Sequence, residues 1–227
     1  MTKRVYSIAI DGPAGAGKST MARRAAKELG FVYLDTGAIY RTVAYAVLSA
    51  GLSPEDGAAV AEYLPQIRVE LQWDADSVQH MLLNGVDVSR EIREPAVSQA
   101  ASQVAAIPAV RDFLLDTQRN VAKTQRVIMD GRDIGTVVLP HADVKIFLSA
   151  SAEVRALRRF KELQEKNAPD TYELVLKEMQ QRDERDYNRA VAPLRRAEDA
   201  ILLDTSELTL DESIAELLRI IREGIAL

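Results

Sequence analysis

The chain of 227 residues has no cysteine, few aromatic residues and no excess of positive charge. Without cysteine it can form neither a disulfide framework nor a thiolate zinc site, which suits a reducing cytoplasm. The formal net charge of -5 provides no positive field for nucleic-acid phosphates, so we expect no nucleic-acid partner. No segment is apolar for long enough to span a bilayer, and the first apolar run stops at Asp11, too early for a signal peptide. These absences predict a soluble, cytoplasmic protein that does not bind membranes.

The 47% of apolar residues are enough to form a sizeable core, and the chain length fits one α/β core with a modest insertion. Short apolar runs without polar alternation are typical of parallel strands that are covered on both faces. Such runs occupy residues 5–10, 31–34, 126–129, 144–148 and 200–203. Helical patterns lie between and after them, at residues 18–29, 38–50, 108–121 and 214–225. The sequence therefore predicts a parallel five-stranded sheet with helices on both faces.

The segment after residue 62 has a different pattern, with alternating apolar residues and a tight-turn signal. Apolar residues occur at every second position in residues 67–73, and a second alternating run contains Val78, His80 and Leu82. Asn84-Gly85 then favours a hairpin turn before a third short strand. This predicts an antiparallel β insertion at about residues 63–93 within a single domain. Residues 1–62 and 94–227 would form the core, with a helical lid at about 155–190.

Residues 12–19 read GPAGAGKS, which matches the G-x-x-x-x-G-K-[ST] pattern of phosphate-binding loops. A predicted strand precedes the loop and a predicted helix follows it, as the motif requires. The glycines of the loop let backbone N–H groups approach phosphate oxygens, and the helix N-terminus adds partial positive charge. Lys18 can bridge the β- and γ-phosphates, and Ser19 can ligate Mg²⁺. The predicted ATP-binding residues here are Gly12, Pro13, Ala14, Gly15, Ala16, Gly17, Lys18, Ser19 and Thr20. The motif by itself indicates only a triphosphate binder.

Two further polar segments follow predicted strands, and the carboxyl ends of such strands border the ligand crevice. Residues 35–41, DTGAIYR, place Arg41 one turn into a helix, although an ordinary helix cap explains their first residues equally well. Residues 130–135, DGRDIG, offer Asp130 where an acidic residue near Mg²⁺ would sit, Arg132 for a phosphate and Asp133 as an acceptor. The alternative for this segment is a surface turn whose opposite charges offset each other.

Arginines also recur at spacings of three and four in the last third of the chain. Arg182, Arg185 and Arg189 fall on one helical stripe, with Asp186 placed to orient Arg182. Residues 155, 158 and 159 repeat this spacing on a helix capped at residue 151, residues 167–169 join the two helices, and residues 170–173 resemble a capping box. These features predict a lid that closes over ATP. The alternative is a pair of solvated helices of mixed charge.

Two classes of P-loop protein compete at this point, a GTP-hydrolysing switch and a kinase that acts on a small acceptor. The Asn-Lys-x-Asp segment typical of guanine recognition is absent from the sequence, whereas arginines are numerous. A switch or regulatory binder would show slow hydrolysis that does not depend on an acceptor.

Five segments together resemble the bacterial cytidylate kinase family, in its order and at its distances: GPAGAGKS, DTGAIYR, AASQVAAIPAVR, DGRDIGTVV and RDERDYNRAVAPL. The resemblance covers essentially the whole chain, including the antiparallel insertion, which in this family forms part of the region that binds the nucleoside monophosphate. It implies phosphoryl transfer from ATP to CMP or dCMP, with Mg²⁺ as cofactor, by a monomer. Thymidylate or shikimate are the alternative acceptors.

The resemblance also implies roles for individual residues. Arg41, Arg132 and Arg189 would hold the acceptor phosphate, Arg182 and Asp186 the ribose, and Arg158 would lie over ATP. Ser102, Arg111 and Asp133 would read the cytosine base, because a carboxylate and a guanidinium match its donor and acceptor edge. The full predicted CMP set is Thr36, Tyr40, Arg41, Ser102, Arg111, Arg132, Asp133, Arg182, Asp186 and Arg189, and the predicted catalytic set is Lys18, Arg132, Arg182 and Arg189.

Overall fold

The computed structural model describes residues 4–165 and 168–226, and within them the chain forms eight strands and eight α-helices. The strands are β1 (Ser7–Asp11), β2 (Val32–Asp35), β3 (Val69–Trp73), β4 (Gln79–Leu83), β5 (Val86–Asp87), β6 (Val127–Gly131), β7 (Val144–Ser149) and β8 (Ile201–Asp204). The helices are α1 (Lys18–Leu29), α2 (Thr36–Ser49), α3 (Gly57–Tyr63), α4 (Pro95–Val104), α5 (Pro108–Thr124), α6 (Ala152–Glu165), α7 (Tyr172–Asn188) and α8 (Leu210–Gly224).

Five strands form one parallel sheet in the order β2-β6-β1-β7-β8, which confirms the predicted sheet. Alternate residues of the central strand β1 point to opposite faces. Ile8 and Ile10 pack in a core with α1 and α8, whereas Ala9 packs in a second core with α2, α4 and α5. The sheet is therefore covered by helices on both faces, and every strand except the two at the edges has a neighbour on each side.

The predicted antiparallel insertion is present as the three-stranded sheet β3-β4-β5. The buried face of β4, however, is not the one indicated by Val78, His80 and Leu82. Met81 is the buried residue of β4, and His80 lies on the outer face, within hydrogen-bonding distance of Asp74 and Asp87. Pairing of Leu71 with Met81 and of Trp73 with Gln79 places the odd-numbered residues of both strands on the inner face.

Side chains of the insertion cover the exposed edge of β2. Trp73 Nε1 donates to the backbone oxygen of Tyr33 at 3.1 Å. Gln79 accepts from the backbone N–H of Asp35 through Oε1 at 2.7 Å and donates to its backbone oxygen through Nε2 at 3.3 Å. An edge strand presents unpaired backbone groups, and these two side chains pair three of them. The insertion is thus attached to the main sheet at the strand that leads into α2.

Helices α6 and α7 form the predicted lid region and pack on each other around Ala156, Val175 and Met179. The Ser151 cap of α6 is confirmed, since its Oγ accepts from the N–H of Val154 at 3.2 Å. The cap of α7 is Thr171, whose side chain accepts from the N–H of Leu174, so the capping box predicted at residues 170–173 is wrong by one residue. Asn167, part of the predicted connection, lies outside the described residues.

No helix within residues 4–165 and 168–226 combines the length and the apolar composition needed to cross a membrane.

The contacts of Gln79 give a prediction about stability. Gln79→Ala leaves the buried backbone groups of Asp35 without these partners, and we expect the free energy of unfolding to fall by about 1–3 kcal/mol. The matched control is Gln72→Ala on the neighbouring strand, where the glutamine is exposed, and its effect should stay within about 0.5 kcal/mol. Urea unfolding measures both. Equal losses in the two variants would contradict the role of Gln79 at the edge of β2.

Candidate active site

A cavity of about 320 Å³ lies at the carboxyl ends of the parallel strands. Most of the predicted site residues line it, although they come from six separate segments of the chain. They are Ala14, Gly15, Gly17, Lys18, Ser19, Thr20, Thr36, Tyr40, Arg41, Ser102, Arg111, Asp130, Arg132, Asp133, Arg182, Asp186 and Arg189. The predicted residues that do not line it are Gly12, Pro13, Ala16 and Arg158. The arginines from distant segments therefore surround the same space as the loop that carries Lys18.

The loop between β1 and α1 follows a path that glycine makes possible. Gly12 has φ +152°, and a Cβ there would lie 2.0 Å from the backbone oxygen of Leu148 in β7. Gly15 has φ +73°, and a Cβ there would lie 3.0 Å from Met179 Cε. The backbone thus runs directly beneath β7 and α7, a path that a side chain at Gly12 would block.

Lys18 is buried at the start of α1 and folds back over this loop. Its Nζ donates to the backbone oxygens of Gly12 and Pro13, both at 2.7 Å, so these two residues contact a residue of the cavity lining without lining the cavity themselves. Burial, together with the nearby positive charge of Arg132, lowers the pKa of Lys18 to about 7. A phosphate group entering the cavity would favour the charged form of the lysine, because an opposite charge offsets both effects.

Ser19 and Asp130 meet at the base of the cavity. Ser19 Oγ donates to Asp130 Oδ2 at 2.9 Å, and the hydroxyl of Tyr33 donates to Oδ1 at 2.8 Å. Burial, reinforced by the neighbouring Asp35, raises the pKa of Asp130 to about 6. Within the described part of the chain no cluster of three or more His, Cys, Asp or Glu side chains could hold a metal ion. A hydroxyl and one carboxylate fit a Mg²⁺ ion that takes its other ligands from phosphates and water.

Each arginine that lines the cavity, except Arg182, is held by a carboxylate. Three of these ion pairs join different elements of the fold, so they fix the elements relative to one another. They are Arg132–Asp186 at 2.8 Å, Arg189–Asp133 at 3.4 Å and the close contact of Arg111 with Asp133, whereas Arg41–Asp35 at 2.9 Å is local. Carboxylates so placed keep guanidinium groups close together before any phosphate arrives, because they offset the repulsion between like charges.

The predicted partner of Asp186 is wrong. Asp186 was expected to orient Arg182 four residues earlier on the same helix, but it accepts from Arg132 Nε, across the cavity. Burial by itself would raise the pKa of Asp186, yet the charge of Arg132 and this hydrogen bond lower it. Burial, together with the nearby positive charge of Arg132, lowers the pKa of Arg182 to about 10. Arg182 Nε has no hydrogen-bond partner in the described structure. Arg185 is exposed and does not line the cavity.

The residues predicted to read a base all line the cavity. Arg111 lies 5.7 Å from the ring centre of Tyr40 and contacts Asp133. Ser102 Oγ is buried and has no hydrogen-bond partner within the described structure. Thr36 differs, because its hydroxyl already donates to the backbone oxygen of Asp130 at 2.7 Å.

Arg158 points away from the cavity lining. Its guanidinium donates to the backbone oxygen of Thr205 at 2.8 Å and to Thr205 Oγ1 at 3.3 Å. Thr205 follows β8 at the same edge of the sheet as the cavity. The predicted contact of Arg158 with ATP stays a prediction.

Two residues that organise the site were not predicted as members of it. Asp11 ends β1, and its carboxylate accepts from the backbone N–H groups of Ile134 and Gly135, both at 2.7 Å, which positions the loop carrying Arg132. Asp35 caps α2, as the simpler interpretation of its segment had it, and also holds Arg41. A carboxylate that directly ends an apolar strand was the signal for both.

Comparison with known proteins identifies the family. The family model described as cytidylate kinase matches residues 8–223. A cytidylate kinase of Carboxydothermus hydrogenoformans is 51% identical over 94% of this chain and 96% of its own length. The cytidylate kinase of Vibrio cholerae is 48% identical over 97% and 98%. Among solved structures, an uncharacterized protein from Eubacterium ventriosum shares the fold with a TM-score of 0.57, 12% identity and coverage of 97% and 99%.

The extent of sequence identity agrees with the site, in which arginines surround the same cavity as a loop with the phosphate-binding motif. The chain belongs to the cytidylate kinase family and is an ATP-dependent nucleoside monophosphate kinase.

Proposed function

We propose that this enzyme transfers the γ-phosphoryl group of ATP to CMP or dCMP, giving ADP and CDP or dCDP. The observation that carries the proposal is the charge distribution around one cavity. Six cationic side chains line it, Lys18, Arg41, Arg111, Arg132, Arg182 and Arg189, together with five carboxylates, Asp35, Asp130, Asp133, Glu162 and Asp186. Two nucleotides bring several negative charges to this space, and only cations that already converge there can accommodate them.

The chemistry requires positioning and charge neutralisation but no covalent protein nucleophile. The loop of residues 12–20 and Lys18 hold the donor phosphates. Arg41, Arg132 and Arg189 hold the acceptor phosphate in line with them. Arg132, Arg182 and Arg189 also stabilise the charge that develops on the transferring group, because their side chains line the same cavity as Lys18.

Magnesium belongs to this proposal, with Ser19 as a direct ligand and Asp130 beside it. When bound, Mg²⁺ neutralises charge on the donor phosphates. The hydrogen bond between Ser19 and Asp130 holds the serine hydroxyl in place, and Asp130 is itself oriented by Tyr33. Asp130 also favours a cation at this point because burial leaves its carboxylate with little solvent.

Selection of cytosine rests on Ser102, Arg111 and Asp133. The carboxylate of Asp133 accepts from the N4 amine of cytosine, and the guanidinium of Arg111 and the hydroxyl of Ser102 donate to its acceptor atoms. Uracil would present an oxygen to the carboxylate, and a buried polar site discriminates strongly against such a mismatch. Arg182 and Asp186 would contact the ribose, with Thr36 and Tyr40 in the same pocket.

We further propose that the protein is a monomer in the cytoplasm and that Arg158 contacts ATP. In this proposal the chain is divided into a core, an insertion at about residues 63–93 and a lid at about residues 155–190.

A panel of acceptors tests the function directly. We expect ADP release to depend on CMP or dCMP, with UMP, thymidylate and shikimate poor acceptors, because only cytosine in this panel has an exocyclic N4 amine for Asp133 beside an N3 acceptor. A coupled assay that compares kcat/KM across the panel measures this. Equal rates with UMP and CMP would contradict the base-reading residues. Slow hydrolysis that no acceptor accelerates would instead favour a nucleotide-dependent switch.

Removal of the loop lysine tests the donor site. Lys18→Ala should lower kcat by orders of magnitude while the fold is kept, since it removes a charge that stabilises the transition state. Lys27→Ala, at the exposed end of the same helix, is the matched control and should retain native kcat. Near-native turnover of Lys18→Ala in a folded protein would disprove the proposed role of Lys18.

Ser102 offers a test of base recognition that spares the fold. Its hydroxyl has no hydrogen-bond partner within residues 4–165 and 168–226, so Ser102→Ala should leave the free energy of unfolding unchanged. The KM for CMP should rise roughly two- to tenfold, with the KM for ATP unchanged. Ser98→Ala, one turn earlier on α4 and outside the cavity, is the control. Steady-state kinetics with each substrate varied in turn separate the two constants. A native KM for CMP in Ser102→Ala would remove Ser102 from the site.

A further inference from the structure

Arg155 is a buried arginine whose guanidinium faces protein groups on every side. It projects from α6 and is 4% exposed. Its Nε donates to the backbone oxygen of Ala150 at 2.8 Å, and one terminal nitrogen donates to the backbone oxygen of Ala14 at 2.9 Å. The two terminal nitrogens also donate to the carboxylate oxygens of Asp183 at 3.1 and 2.6 Å. One side chain therefore joins the phosphate-binding loop to both lid helices.

A second contact lies beside this ion pair. Met179, one turn before Asp183 on α7, packs so closely on Gly15 that a Cβ there would come within 3.0 Å of its Cε and 3.4 Å of Arg155 Cβ. The loop that receives the donor phosphates thus packs against α7 through an apolar contact. Arg155, which donates to Ala14 in the loop, links it further to α7 through its bidentate ion pair with Asp183. Bidentate guanidinium–carboxylate pairs fix geometry as well as distance.

Helix α7 also carries residues of the acceptor site on another part of its surface. Arg182 and Asp186 line the cavity, and Asp186 binds Arg132. Asp183 lies between them in sequence but faces α6 and the loop. Neither Arg155 nor Asp183 lines the cavity, and the Arg155 guanidinium is engaged by Ala150, Ala14 and Asp183.

From this geometry we infer that Arg155 and Asp183 are positioning residues that couple the donor and acceptor sites. The inference rests on the proposed function. A nucleotide that orders the loop of residues 12–20 also orders α7 through this pair, and a nucleotide that orders Arg182 and Asp186 orders the loop in return. Each substrate then raises the affinity for the other by the same factor, as thermodynamic linkage requires.

Binding measurements on the full chain test the coupling. Calorimetry gives the Kd of CMP with and without a saturating non-hydrolysable ATP analogue in the presence of Mg²⁺, and the ratio of the two values is the coupling factor. We expect a factor of about 5 to 150 for the native chain. In Asp183→Asn, which keeps shape but removes the charge, the factor should fall toward one. The Kd of CMP measured alone should change by less than about twofold.

Two further variants make the result interpretable. Arg155→Lys retains a positive charge but loses the bidentate contact, so it should lower the coupling factor as well. It provides the test of the coupling if Asp183→Asn does not fold. Arg219→Lys alters an exposed ion pair with Glu216 on α8 and should keep the native factor. Thermal unfolding establishes that each variant is folded. If the ion pair had only a structural role, its loss would lower the unfolding temperature and leave the coupling factor unchanged.

A coupling factor of one in the native chain would overturn the inference. So would a coupling factor in folded Asp183→Asn or Arg155→Lys that equals that of the native chain. CMP turnover by the native chain separates this failure from that of the proposed function. If CMP is phosphorylated and the variants keep the coupling, only the positioning role falls. If CMP neither binds nor accepts a phosphoryl group, the proposed function falls and the inference with it.

Discussion

Repulsion between buried guanidinium groups is the constraint around which this site is built. Arg41, Arg132 and Arg189 surround a cavity of about 320 Å³ together with Lys18, and each of the three arginines is held by a carboxylate at 2.8–3.4 Å. In the free protein the carboxylates offset the cationic charge. When phosphates enter, the same cations face a stronger anionic partner without having to be brought together first. Positioned charges of this kind need little reorganisation during the reaction.

The carboxylates also hold the elements of the fold together, because they come from different parts of the chain. Asp35 ends β2, Asp133 follows β6 and Asp186 belongs to α7. The inserted sheet reaches the same network, since Gln79 pairs with both backbone groups of Asp35, whose side chain holds Arg41. The small antiparallel sheet adds no side chain to the cavity lining, but Asp35 connects it to Arg41, which does line the cavity.

The architecture was predictable where the signal is contiguous in sequence. Apolar runs without alternation indicated five parallel strands, and GPAGAGKS between a strand and a helix indicated a phosphate-binding loop, because both patterns follow from local geometry and burial. The errors arose where the deciding contact is distant. Asp186 has Arg182 within one turn but binds Arg132, 54 positions away, and the inner face of β4 follows its pairing with β3 rather than its own alternation.

The strands, the phosphate-binding loop, the set of arginines and the resemblance to cytidylate kinases follow from residue types at short spacings, so they can be recognised in the sequence. Other features belong to the folded chain alone: which carboxylate holds which arginine, the lack of a partner for Ser102 Oγ among the described residues, and the link that Arg155 makes from Ala14 to Asp183 on α7. Sequence spacing limits which residues can meet along one element. Partners from separate elements are chosen by how those elements pack.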